Sequence, residues 1–283
     1  MQTAKRREAA DKQNETQKTT AQKEEESEWG EEHPIDWDAY FEEGGYFGDY
    51  GDESISYISQ DVKGIKIQAE YATVHVKHSE ACSRVEVFTQ IGEEQDAISC
   101  ELEDGILTII QANLNEDVKS DGSYIEVTLP SGKKLGSFQL IQQAGATSLS
   151  INGEIHTILI DMDTGSVMAE ELKGDNMTLD INVANIHIKN AKLANAQFCV
   201  REGVLRIDEM EVEKRLELLN QNGNMNLNLH EEEGDYRFDV SNEDGKVKIN
   251  GEQTVPEKDN DQEKPLVMIQ TKTGTVSLTT KEQ

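Results

Sequence analysis

From Ile65 to Leu278 the apolar residues of this chain fall in pairs two positions apart, placed on either side of a small residue. Taking Gly145, Gly165, Ala184, Gly203, Gly223, Gly245 and Gly274 as turn markers, the spacings are 20, 19, 19, 20, 22 and 29 residues. Seven and five positions before the turns stand Phe138 and Leu140, Ile158 and Ile160, Met177 and Leu179, Leu216 and Leu218, Phe238 and Val240, and Val267 and Ile269. Two and four positions after them stand Val167 and Ala169, Ile186 and Ile188, Leu205 and Ile207, Met225 and Leu227, Val247 and Ile249, and Val276 and Leu278. The coil of Gly203 keeps Phe198 with the small Ala196, and that of Gly145 offers Thr147 and Leu149. Upstream the same template fits Ala72, with Ile65, Ile67, Val74 and Val76, and Gly105, with Ile98, Cys100, Leu107 and Ile109. A less regular coil surrounds Ser123, with Val118, Ile125 and Val127.

Residues two apart on a strand share a face, so each repeat presents two inward pairs flanking a turn. One such repeat cannot bury its pairs alone. Stacked repeats can, because each strand pairs with its equivalent one coil along, about 4.8 Å away, and the inward residues form continuous ladders. The pattern therefore predicts an all-β, single-domain β-solenoid over residues 54–283, with coils of about 20 residues and two short strands each. The best helical candidate, EVEKRLELL at 211–219, fits the strand template equally well. The irregular strand Arg84 to Phe88 and the N-terminal tail are candidate caps. The stretch Gly251 to Pro265 interrupts the repeat with two prolines and many charges, and reads as an exposed loop.

Residues 1–53 are rich in Lys, Glu, Gln and Thr and sustain no period, so they read as a disordered acidic tail dispensable for folding. Inside it, residues 29–51 hold Trp29, Trp37, Tyr40, Phe41, Tyr46, Phe47 and Tyr50, a concentration of rings that marks a candidate partner-docking segment.

Composition narrows the partners. An apolar fraction of 35% lies below the usual 45–50% or so, as suits a thin, repetitive core. With 56 acidic against 27 basic residues the net charge is −29, which opposes phosphate backbones and anionic lipid heads within a Debye length of about 8 Å. Nucleic acid and bare membrane are poor partners; the acidic surface reads first as keeping an elongated protein soluble, with collection of divalent cations or contact with a basic partner as the other readings. No run approaches the roughly 18 apolar residues of a spanning helix, and the basic start is not followed by a signal-peptide core.

The segments IKIQAEYATVHVKHS, DGILTI, YIEVTLPSGKKLGSFQL, DGKVKINGE and IQTKTGTVSLTT resemble the toastrack, or adhesin-like, family over roughly residues 58–280. The resemblance implies a β-solenoid module common in bacterial envelope proteins and in envelope-stress signalling, with no catalytic residues to carry over. It implies an extracytoplasmic place at the cell envelope. The missing membrane segment and signal peptide keep a cytoplasmic stress-response partner as the alternative.

Some parallel β-helices degrade polysaccharides, which requires carboxylates converging in a groove with bases and aromatic platforms. Asp161 and Asp163, Asp180, and Asp208 and Glu209 are candidate carboxylates; Arg201 and Arg206 are outward residues expected to form surface salt pairs near Glu202 and Asp208. Phe138, Phe198 and Phe238 occupy inward offsets, so glycan binding lacks an aromatic platform. His75 and His187 point outward and read as solvated strand residues, not as metal ligands. Cys100 reads as core and Cys199 as exposed, with Cys82 too remote to pair with either. The turn NEDG at 242–245 lacks the spacing of a calcium loop. The expectation is a non-enzymatic binding or scaffolding module without cofactor or metal; a carbohydrate-active β-helix enzyme is the competing reading.

Overall fold

The structure, a computed structural model, describes residues 54–59, 61–91, 96–113, 123–253 and 261–281. The aromatic stretch 29–51, and with it the whole of 1–53, lies outside the described residues. The strands are β1 (Ser54–Ser59), β2 (Gly64–Ser79), β3 (Val85–Gln90), β4 (Asp96–Glu103), β5 (Ile106–Asn113), β6 (Ser123–Pro130), β7 (Leu135–Ser150), β8 (Glu154–Asn220), β9 (Asn224–Glu232), β10 (Arg237–Asn242), β11 (Lys246–Ile249), β12 (Leu266–Thr271) and β13 (Thr275–Lys281). The one helical element among the described residues is a single 3-10 turn, Glu233–Asp235. The segment 211–219 lies inside β8 and is strand.

All strands belong to one 13-stranded sheet that winds as a solenoid. Equivalent rows stack in parallel register: Ile65 pairs with Phe138 and Phe138 with Ile158, while Val74 pairs with Thr147 and Thr147 with Val167. Ile158, Ile160, Leu179, Leu205, Leu216 and Val276 are fully buried. Each large aliphatic side chain so buried contributes about 1.5–3 kcal/mol, and no coil can collect that alone. Glycine at the turn has a geometric reason. A Cβ on Gly165, where φ is 136°, would stand 2.0 Å from the carbonyl oxygen of Gly145 one coil below.

The coils are more filled than two pairs predict. A further buried row runs three positions before the turn, through Met162, Ile181 and Val200, and more core comes from Leu172, Leu193, Met210, Val212 and Leu229. Polar side chains occupy the same row toward the ends. Gln142 Nε2 donates to the carbonyl of Ala72 at 2.6 Å and its Oε1 accepts from the Thr147 hydroxyl at 2.7 Å. Asn220 Nδ2 donates to the carbonyl of Gly223 at 2.8 Å. Gln142 is thus satisfied on both amide atoms and ties its coil to the one below, whereas the buried Asn220 Oδ1 has no hydrogen-bond partner among the described residues.

Two expectations are corrected. Gly105 does not mark a coil. With Asp104 at φ 52° and Gly105 at φ 85°, it closes a two-residue hairpin in which β4 and β5 run antiparallel. Ile98 and Cys100 therefore lie half-buried against the margin of the core. The coils also do not stack in chain order. β2 lies between the outermost coil, made of β5 and β6, and β7. At the other end β12 and β13 lie between the coil of β8 and β9 and the coil of β10 and β11. The stretch 251–265, of which 254–260 lie outside the described residues, is thus the return connection past the terminal coil, which accounts for the spacing of 29. β3 pairs antiparallel with β6 and with β1, so the irregular strand does cover one edge.

Candidate functional site

Outward residues at equal offsets in successive coils stand one strand spacing apart, so charges meet neighbours 19–21 positions away in sequence. Arg201 lies 3.2 Å from Asp180, Lys192 lies 2.7 Å from Glu211, His230 lies 2.7 Å from Glu209, and Lys134 lies 2.5 Å from Glu154. His156 pairs with Asp175. Within one strand Arg206 reaches Asp208 at 2.6 Å, as expected, whereas Arg201 takes Asp180 of the preceding coil instead of Glu202. Part of the acidic surface is laced in this way, although acidic residues outnumber basic ones 56 to 27.

The densest group joins Asp161, Asp163, Asp180, Asn182, Cys199 and Arg201 on one outer face. Asn182 Nδ2 donates to Asp163 Oδ1 at 2.6 Å. Burial pushes the Asp161 carboxyl above its ordinary value, Asp180 and Asp163 add to the rise, and Arg201 opposes it. Burial also pushes the Cys199 thiol up, with Asp180 adding to it. Cys199 is half-buried rather than exposed, and its raised pKa makes it a poor thiolate donor. Among the described residues these carboxylates lie on a sheet face, where Asp163 accepts from Asn182 and Asp180 pairs with Arg201.

A raised carboxyl in the folded state means that its ionised form costs stability above that folded pKa, and the cost is relieved as pH falls through it. Asp161→Asn should therefore melt slightly higher than the parent at pH 7, and the two curves should converge as the pH falls below the ordinary aspartate range. A variant that melts lower at pH 7 would show that Arg201 dominates the cluster.

On the second outer face Nε2 of His187 lies 2.7 Å from Asp208, which also accepts from Arg206. Burial raises the Asp208 carboxyl, but the hydrogen bonds from His187 and Arg206 outweigh it and leave the pKa below the ordinary value. His187, with 16% of its side chain exposed, is not a solvated residue. His75 is half-buried too, its ring 5.4 Å from Tyr124, and burial lowers its pKa against the pull of Glu126. The two histidines share a row but stand apart in it, with Ser148 and Met168 between them, so they form no joint metal site. Among the described residues no group of carboxylates, histidines and cysteines is placed to hold a metal ion. The turn Asn242 to Gly245 is closed by its own Asn242 Nδ2, which donates to the carbonyl of Gly245.

Not every solenoid aromatic points inward. Phe88, 37% exposed, lies 6.1 Å from Tyr124 on the outer face of β3 and β6, and Tyr71 is equally exposed. The alternation Val85, Val87, Thr89 inward places Phe88 outward, a signal present in the sequence analysis only as an irregular strand. All three cysteines are unpaired with one another; burial raises the Cys100 thiol, and the Cys82 thiol donates to the carbonyl of Arg84. The surface depressions are shallow: one of about 340 Å³ is lined by Lys134, Glu154, His156, Lys173 and Asp175, among others, with alternating charge. Among the described residues no helix is long and apolar enough to cross a membrane.

Distant likenesses are found among solved structures. A putative adhesin from Parabacteroides merdae is 13% identical, with 81% of this chain and 96% of that chain covered at a TM-score of 0.44. A putative adhesin from Parabacteroides distasonis is 14% identical, with 83% and 98% covered at 0.40. A putative lipid binding protein from the same species is 14% identical, with 81% and 96% covered at 0.44. No curated protein sequence matches. The family model described as Toastrack DUF4097 matches residues 62–282, and on that match the chain belongs to the toastrack family.

Proposed function

We propose that this chain is a non-enzymatic binding and scaffolding module of the bacterial cell envelope, in which the solenoid is a rigid support and the stretch from Trp29 to Tyr50 docks a protein partner. One observation carries the reading. Of the outward carboxylates that a polysaccharide-cleaving β-helix would need, Asp180 is held by Arg201 and Asp208 by His187 of a neighbouring coil, with Arg206 of its own strand also on Asp208. They stabilise the stack and do not converge on a substrate-sized cleft. The interleaving of Asp36, Asp38, Glu42 and Glu43 with the tail aromatics supports a basic receiving surface. Membership of the toastrack family, whose resemblance implies a module common in bacterial envelope proteins, supports the envelope location.

The test incubates the full chain with neutral and acidic envelope polysaccharides and measures new reducing ends and new unsaturated products. No product above buffer is expected. Product formation that disappears in Asp180→Asn would overturn the binding reading and establish the cluster of Asp161, Asp163 and Asp180 as a catalytic centre.

A further inference from the structure

The C-terminal coil is inserted. β12 and β13 follow β10 and β11 in the chain, yet they lie between that pair and the coil below. Val267 sits between Leu216 and Phe238, and Ile269 between Leu218 and Val240. On the other limb Val276 sits between Met225 and Val247, and Leu278 between Leu227 and Ile249. Asn250 latches this coil in place. Its backbone N–H donates to the carbonyl of Leu278 at 2.9 Å, its Nδ2 to Glu233 at 2.7 Å and to Thr280 Oγ1 at 3.0 Å, and its Oδ1 accepts from the Thr280 N–H at 2.8 Å.

Two properties make the inserted coil separable. Its neighbours on either side carry the same template, so Phe238, Val240, Val247 and Ile249 can close onto Leu216, Leu218, Met225 and Leu227 in the same register, apolar against apolar. Departure of the coil therefore shortens the stack by one level in a transient open molecule, and the level reopens when a coil of the same template enters it. The departing strands, in contrast, carry Val267, Ile269, Val276 and Leu278, all fully buried in place, and such alternating strands have exposed edges that seek pairing. The surface that offers their rows in the right order and spacing is the same position in another molecule of this chain.

We propose that Leu266–Lys281 is an exchangeable coil and that its partner is a second copy: two chains trade C-terminal coils and form a dimer from contacts that each molecule already makes within itself. A swap of this kind needs no new interface chemistry. The net charge of −29 sets its control, because two such molecules repel one another at low salt and the barrier falls as salt screens them.

The experiment uses the full chain with Cys82, Cys100 and Cys199 replaced by Ser and the pair Glu217→Cys and Met268→Cys added. These two are directly paired between the parallel strands β8 and β12, within the Cα range of a disulfide. Oxidation of the freshly purified protein should give an intrachain bond and a monomer on a non-reducing gel. After a concentrated hold just below the melt in high salt, oxidation should give an interchain bond and a covalent dimer. Adding Asn250→Gly removes the latch while keeping a residue suited to the left-handed φ of 51°, and should speed dimer formation several-fold. Isotope-light and isotope-heavy copies of the otherwise native chain, held together and weighed by native mass spectrometry, provide a reading free of engineered cysteines and should yield mixed-mass dimers. Intrachain bonds alone at every temperature up to the melt, with no mixed-mass dimer, would overturn the proposal. So would a dimer that lacks the interchain bond, because its interface lies elsewhere.

Discussion

Ile207→Asp should melt at least roughly 10 °C below the parent, while Arg206→Gln, one residue away, should melt within a degree or two of it. Ile207 is 1% exposed and packs in the row between Ile188 and Leu227, whereas the Arg206 side chain is 60% exposed. Removing a buried aliphatic side chain costs about 2–5 kcal/mol. An unpaired carboxylate in its place adds several more, or is protonated at a comparable cost. In a domain of this size 1 kcal/mol moves the melt by about 2–4 °C. Arg206→Gln removes only a surface ion pair with Asp208, worth about 0.2–1 kcal/mol. Circular-dichroism melts of the two variants and the parent decide the matter. Similar curves would mean that the inside and outside assignments of this coil are inverted, because a one-residue slip exchanges the faces.

That contrast rests on the part of the fold most legible in the sequence. Inward rows such as Ile158 and Ile160, or Leu216 and Leu218, repeat with strand periodicity at near-constant spacing, and no other architecture returns them so regularly. The row through Met162, Ile181 and Val200 was harder to see because Gln142, Asn220 and Thr271 interrupt it; the bonds of Asn220 to Gly223 and of Thr271 to Gly274 close the local turn, while those from Gln142 to Ala72 and from Asn220 to Thr271 form only when the coils stack. The Gly105 hairpin matched the coil template by its apolar offsets alone. Its Asp-Gly turn carried the opposing signal. Stacking order was not legible at all, since coils that share one template are interchangeable neighbours until their connections are traced.

The outer face was legible in kind and not in detail. Arg201 and Arg206 were readable as surface ion-pair partners, but the choice of Asp180 by Arg201 depends on which coil lies beneath it. His187 reads as outward because it stands between the inward Ile186 and Ile188. Its protection from solvent comes from Asp208 one coil above, 21 residues on. The aromatic stretch from Trp29 to Tyr50 is legible as composition, and its docking role is a proposal that rests on composition and chemistry.

The second large effect concerns that stretch, where a spacer would have no use for large rings and an interface gains most from them. Rings of this kind are typical hot spots, each costing about 2 kcal/mol or more when truncated. Joint replacement of Trp37, Tyr40 and Phe41 by Ser should thus weaken partner binding by far more than tenfold. The solenoid should be untouched if its own stacked rows hold it together. The most direct measurement of the account is therefore a quantitative pull-down from the source cell with the parent and the Trp37→Ser, Tyr40→Ser, Phe41→Ser variant, run beside the melting curves of both proteins. The account predicts that the partner is lost while the melt stays the same. A full complement of partners retained by the variant would contradict it, and a lowered melt with partners retained would make the aromatic stretch a cap of the solenoid and not its docking segment.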